Sequence, residues 1–202
     1  MMAMMSKARN QWTITSRNPE RKLIIGGGYI LFGHVSSPPN YCDVKLNAKM
    51  PGTPEICQNL IKLSQYFYCI HFAGGYLVEP LDLHASTRHL AMLGDKLTLS
   101  DKVAYAYSLG RQRVEDVVEM ARFAGGCSDA EFEASSKIYA NINSTSPLKR
   151  DFPMLDRWMW LARRNQGLVV TPFTLVGAMV PVALSGAVAQ SIAEALCTVA
   201  LA

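Results

Sequence analysis

The sequence predicts an α/β fold made of five successive strand–helix units around a parallel sheet, and three observations carry that reading. From about Arg21 onward, short runs of β-branched and aromatic residues alternate with helical stretches. The ends of the candidate strands fall near positions 33, 75, 108, 142 and 170, so each unit takes roughly 30 to 40 residues, the size of a βα unit. Half of the 202 residues are apolar, enough for one core but not for two full domains. A series of this kind suits an open doubly wound sheet or part of a barrel, and periodicity does not separate the two. Gly26-Gly27-Gly28 is followed by another β run rather than a helix, which weighs against a dinucleotide-binding sheet.

Residues 1–11 are expected to be an irregular N-terminal segment, with the domain proper spanning 12–202. Leu23-Ile24-Ile25 reaches the glycines and resumes as Tyr29-Ile30-Leu31-Phe32, which predicts a hairpin leading into the first strand. Thr53 followed by Pro54 marks a helix start, with Ile56, Leu60, Leu63 and Phe67 on one face. The second unit has a run ending near His71 to Gly75, then a helix in which Leu90, Leu93 and Leu97 share a side. The third has Val103 to Leu109 as strand, Gly110 as breaker, and a helix from about Gln112 with Val114, Val117, Val118 and Met120 inward. Gly125-Gly126 should end that helix through a left-handed cap. Lys137 to Ile142 is the fourth strand, Asn143 to Pro147 a loop, and Asp151 the cap of a helix with Leu155, Trp158, Met159 and Ala162 on one stripe. The fifth strand, Leu168-Val169-Val170, passes through Thr171-Pro172-Phe173 to a Gly/Ala-rich helix from Pro181 to the end.

Composition excludes several function classes. The net charge of +4 comes from Lys and Arg that are spread along the chain, so no nucleic-acid surface is expected. The five cysteines are odd in number and contain no C-x-x-C pair, as in a reduced, cytoplasmic chain. No charged residue occurs between Asn165 and Ala193, but Pro172 and Pro181 interrupt that stretch. It is read as a buried strand, loop and helix rather than a membrane span. His84 and His89 are five apart and do not share a helical face, so no metal is expected.

The loops carry a more specific signal. Arg17 to Arg21 (RNPER), Gly75 to Pro80 (GYLVEP), Thr87 to Leu90 (TRHL), Leu97 to Lys102 (LTLSDK), Glu119 to Arg122 (EMAR), Ile142 to Leu148 (INSTSPL) and Thr171 to Met179 (TPFTLVGAM), in this order and spacing, resemble the trimethylamine–corrinoid methyltransferase family. The resemblance covers about Trp12 to Ala202. It implies a partial (β/α)8 barrel of about five βα units, and transfer of a methyl group from a methylated amine to the cobalt of a partner corrinoid protein. No cofactor is then expected to be bound directly, since the corrinoid comes with the partner. Members act on trimethylamine, some with pyrrolysine, or without it on glycine betaine and similar quaternary amines. They are more than twice as long, so the chain is expected to be a central fragment. A second reading is a catalytically inactive truncated fragment that folds only with a partner or with the missing chain.

In a barrel, active sites lie at the C-terminal ends of the strands. The candidates are therefore Gly33 with His34, Gly74 and Gly75 with Glu79, Tyr107 and Ser108 with Arg111, Asn143 with Ser144 and Ser146, and Thr171 with Phe173. Aromatic faces, with carboxylates or amide oxygens nearby, suit a cationic methylammonium, and Arg111 could take a betaine carboxylate through a bidentate pair. The apolar last helix, with Val182, Ala189, Leu196 and Val199, is expected to leave an exposed patch through which the chain forms oligomers.

Overall fold

The computed structural model describes residues 8–34, 36–106 and 110–201, and shows a mixed α/β chain. An antiparallel hairpin opens it, β1 (Gln11–Ile14) against β2 (Leu23–Gly26), with Trp12 opposite Ile25 and Ile14 opposite Leu23. The turn is held by Asn18, whose side chain accepts from Glu20 N–H. The expected hairpin therefore lies one arm earlier: the three glycines, all at positive φ, end β2 instead of forming the bend. Tyr29 to Phe32 carry no ladder. Beyond them, among the described residues, only Gly33 bridges forward, to Phe72.

A second hairpin, β3 (Asn40–Asp43) with β4 (Ala48–Pro51), precedes the first long helix, and the sequence periodicity does not predict it. Its turn is made by Asp43, whose carboxylate accepts from the N–H groups of Lys45 and Leu46. Helix α1 (Pro54–Tyr66) follows with Thr53 as its cap, the hydroxyl accepting from Ile56 N–H at 3.3 Å. It buries Cys57, Ile61 and Ser64, while Leu63 and Phe67 are exposed. The apolar stripe is thus rotated from the expected one by about one position. Helix α2 (Arg88–Leu99) packs on α1 through Met92, which shares a buried cluster with Cys57, Ile61, Tyr76 and Val78.

Helix α3 (Arg111–Gly125) buries Val114, Val117 and Val118, and ends at Gly126 in the left-handed conformation. A short helix that the periodicity misses, α4 (Asp129–Ala134), starts at a capping box between Ser128 and Glu131. Strand β5 (Tyr139–Thr145) and β6 (Gly167–Phe173) pair in parallel along their whole length, with Asn143 opposite Thr171 and Thr145 opposite Phe173. Both run further than expected, so Asn143 and Thr171 are strand residues rather than loop residues. Between them lies α5 (Phe152–Ala162), which buries Trp158 and Leu161 and has Asp151 at its start without a side-chain cap. Helix α6 (Leu184–Ala200) closes the chain.

Parallel bridges connect Gly33 to Phe72, Phe72 to Val103, and Tyr105 to Tyr139. With β5 and β6, five segments therefore lie side by side in the order of the sequence, all in one direction. Helices cover one side of them through a core of Ala104, Ala106, Val114, Val117, Phe132, Ile138, Ala140 and Leu161. The first hairpin closes the N-terminal end of the other side, where Ile14 and Leu23 meet Val103, Tyr105 and Tyr139. Its tip is anchored by two of the loop sequences singled out above: Asn18 donates to Asp101 at 2.7 Å, Arg17 donates to the Ser100 carbonyl at 3.2 Å, and Arg21 pairs with Asp101 at 3.5 Å.

Among the described residues no helix is long and apolar enough to cross a membrane. On α6, however, Leu184, Val188, Ile192 and Val199 form one exposed stripe beside buried Ala187, Glu194 and Thr198. The purified chain should therefore self-associate, and static light scattering should give a mass above that of one chain. Val188→Lys with Ile192→Glu should shift it toward the single-chain mass. A monodisperse single chain before substitution would contradict this.

Candidate functional site

Strand alternation sorts the sequence candidates into two groups. Tyr139, Asn141, Asn143 and Thr145 of β5 point to the side away from the helices, whereas Ala140, Ile142 and Ser144 point toward them and are buried. Registry places Val169, Thr171 and Phe173 of β6 beside the first group. On that open face the polar groups are connected. The Tyr105 hydroxyl donates to Asn141 Oδ1, Asn141 Nδ2 donates to Asn143 Oδ1 at 3.3 Å, and the Thr171 hydroxyl also donates to Asn143 Oδ1. Tyr105 and Tyr139 meet edge to face at 5.1 Å. Burial first, and then the neighbouring Tyr105, push the Tyr139 phenol upward, and its hydroxyl donates to the Ala73 carbonyl at 2.7 Å. The face thus presents amide and hydroxyl oxygens and aromatic rings, with Asn143, Thr145, Thr171 and Phe173 exposed.

Gly75 sits at the end of the second parallel segment, packed so closely on the first that a Cβ there would meet Ser36 Oγ. The carbonyls of Gly74 and Gly75 both accept from the buried amine of Lys96. Burial lowers that amine to about 7. The neighbouring His34 is lowered by burial and then by Lys96 and Lys102.

The remaining candidates lie elsewhere. Glu79 is held by Arg88 at 2.6 Å at the start of α2, joining the GYLVEP and TRHL stretches. Arg111 is exposed and pairs with Glu115 one turn along α3 at 2.9 Å. Tyr107 and Ser108 lie outside the described residues. Ser144 and Ser146 are buried on the helix side of β5. The Ser144 and Ser146 hydroxyls are 3.2 Å apart, Ser144 Oγ accepts from Phe173 N–H, and Ser146 donates to Glu194 at 2.7 Å. Glu194, 1% exposed on α6, also accepts from Leu148 N–H and from Gln190, both at 3.1 Å, with the Arg150 guanidinium 3.9 Å away. Burial alone would raise this carboxyl, but the hydrogen bonds from Ser144, Ser146, Gln190 and Leu148 hold it at about 2. Among the described residues no three His, Cys, Asp or Glu side chains gather as a metal ion would require.

The family model described as Trimethylamine methyltransferase (MTTB) matches residues 1–202. The chain belongs to the trimethylamine methyltransferase family. It is also 30% identical over 198 residues to a glycine betaine methyltransferase of Desulfitobacterium hafniense (strain Y51), a match that covers 98% of this chain and 41% of that protein. The chain therefore spans about two fifths of that relative's length.

Within this family member, the sequence reading missed Tyr105, Asn141 and Lys96. Asn141 carries a usable signal, since a period of two places it with Asn143 on β5. Lys96 carries none, because a lysine in the last turn of a helix reads as a solvated charge.

Glu194 gives a direct test of the helix-side network. Its value in the folded chain lies below its ordinary 4.5, so the network stabilises the fold above that pH and loses its effect as pH falls toward 2. Glu194→Ala should cost about 3 kcal/mol at pH 7, measured by chemical denaturation. The gap between variant and parent should narrow at pH 3. A constant gap across that range would contradict the assignment.

Proposed function

We propose that this chain is a segment of a corrinoid-dependent methyltransferase, that its five parallel segments form part of a (β/α)8 barrel, and that the open face of β5 and β6 grips a methylated amine. The linked oxygens of Tyr105, Asn141, Asn143 and Thr171 carry the reading. Of these, Asn143 and Thr171 lie toward the C-terminal ends of β5 and β6, where barrel enzymes place their chemistry. The sequential order of those segments supports the barrel, since a doubly wound sheet would reverse its strand order part-way. The family match and the likeness to a glycine betaine methyltransferase support the reaction class.

The residues suit a quaternary or tertiary methylammonium. Such a cation carries its charge on methyl and methylene hydrogens, which are attracted to aromatic faces and to carbonyl or hydroxyl oxygens. Phe173 supplies an exposed ring, and Asn141 and Asn143 supply amide oxygens held in place by the Tyr105 and Thr171 hydroxyls. Holding the ammonium there fixes the direction in which one methyl faces the open side. A corrinoid carried by a partner protein supplies the nucleophilic cobalt that takes the methyl, the C–N bonding pair staying on nitrogen so that a neutral amine leaves. Among the described residues of this face there is no carboxylate, so the cation is held by dipoles and rings.

The test uses the 202-residue chain alone and a chimera in which it replaces the matched segment of the glycine betaine methyltransferase. Methyl transfer from glycine betaine and from trimethylamine to reduced cobalamin is followed by absorbance. The chimera should transfer methyl from at least one amine, and the chain alone should not. Asn143→Ala with Thr171→Ala should lower kcat/KM of the chimera by about tenfold or more, about 1.4 kcal/mol of transition-state stabilisation. An inactive chimera that is folded, or one indifferent to those substitutions, would contradict the reading.

A further inference from the structure

Lys96 is a deeply buried cation that the site has not yet explained. It projects from α2 to the end of the second parallel segment, is 4% exposed, and among the described residues has no carboxylate within ion-pair distance. Its amine is received by two consecutive main-chain carbonyls, Gly74 and Gly75. In an extended strand successive carbonyls point in opposite directions, so two that converge on one amine mark a backbone bent out of the strand. Without a donor between them they would be buried acceptors facing each other. The same amine stands 6.0 Å from the centroid of the Tyr105 ring, on the side of a small cavity lined by Tyr76, His89, Leu93 and Val117. The hydroxyl of Tyr105 begins the chain of oxygens through Asn141 and Asn143 to Thr171.

We infer that Lys96 is a positioning residue for the amine-binding face: clamped between the Gly74 and Gly75 carbonyls and set against the Tyr105 ring, it fixes the place from which the Tyr105 hydroxyl orients Asn141. The inference rests on the reaction class and the face proposed above. Lys96 touches no substrate in this arrangement and acts through Tyr105. The geometry also explains why a cation is tolerated so near a site for cations. Two carbonyl dipoles and a ring face neutralise its field locally, and burial lowers its affinity for the proton to about 7.

The test is made in the chimera with Lys96→Met, Lys96→Gln and Tyr105→Phe, singly and as Lys96→Gln with Tyr105→Phe. Gln keeps a donor for one carbonyl, so it holds the fold if Met does not. Each Lys96 variant should lower kcat by about tenfold, with the KM for the amine changed much less. Because the two residues act as a unit, the double variant should lose no more than its worse single. A separate readout is the Tyr105 ring signal in a sample labelled with carbon-13 tyrosine, assigned through Tyr105→Phe. It should move in Lys96→Gln while the signals of Tyr41 and Tyr66 stay in place. Additive losses, or an unmoved Tyr105 signal, would overturn the inference. If the unsubstituted chimera is inactive, the proposed function fails, and the Tyr105 signal alone then decides for or against Lys96.

Discussion

Each residue of β5 can point to only one of two faces, and nearly everything else in this chain follows from how its seven residues are divided between them. Ala140, Ile142 and Ser144 go to the helix side, where Ala140 meets Leu161 and Val117 in the core and Ser144 meets Ser146. Tyr139, Asn141, Asn143 and Thr145 go to the open side. A register slip of one residue would exchange these sets, placing two asparagines in an apolar core and an isoleucine on the open face. The full-length pairing with β6 prevents that slip, and the Thr171 hydroxyl, which donates to Asn143 and lies within reach of the Ile142 carbonyl, ties side chain to strand.

Two buried charges hold the ends of this arrangement. On the helix side Glu194 gathers the loop after β5 onto α6, through Ser146, the Leu148 N–H and Arg150. On the other, Lys96 gathers the end of the second segment beneath Tyr105. Both are desolvated, and both are compensated by several hydrogen-bond partners rather than by one close ion pair. That is the condition under which a buried charge specifies geometry without destabilising it. The family-like loop sequences mostly serve this framework: RNPER docks on LTLSDK, and GYLVEP is tied to TRHL by the Glu79–Arg88 pair.

Much of the fold was legible in the sequence where a local signal decides it. Thr53-Pro54 capped α1, Gly126 ended α3, and the valines of α3 turned inward as their spacing required. Elements governed by other physics were not legible. The β3–β4 hairpin lacks apolar alternation and depends on the Asp43 side-chain turn, and α4 is too short to show a period. The face of α1 was misread because Cys57 and Ser64, small and weakly apolar, face the core in place of Leu63 and Phe67. Asn143 and Thr171 were named from their position after a β run, and both lie on the open face. Ser144 and Ser146 were put beside them because a polar run after a strand reads as a turn. The residue that captures Ser146, Glu194, lies 48 positions away and leaves no local trace.

A crystal structure of the chimera with glycine betaine bound tests the central claim most directly, because the two faces of β5 are separated by the strand itself. The trimethylammonium group should lie on the open face, in contact with Asn143 and Thr171 and within reach of the Tyr105 ring. Betaine bound on the helix side near Ser146 and Glu194, or away from β5 and β6 altogether, would contradict it.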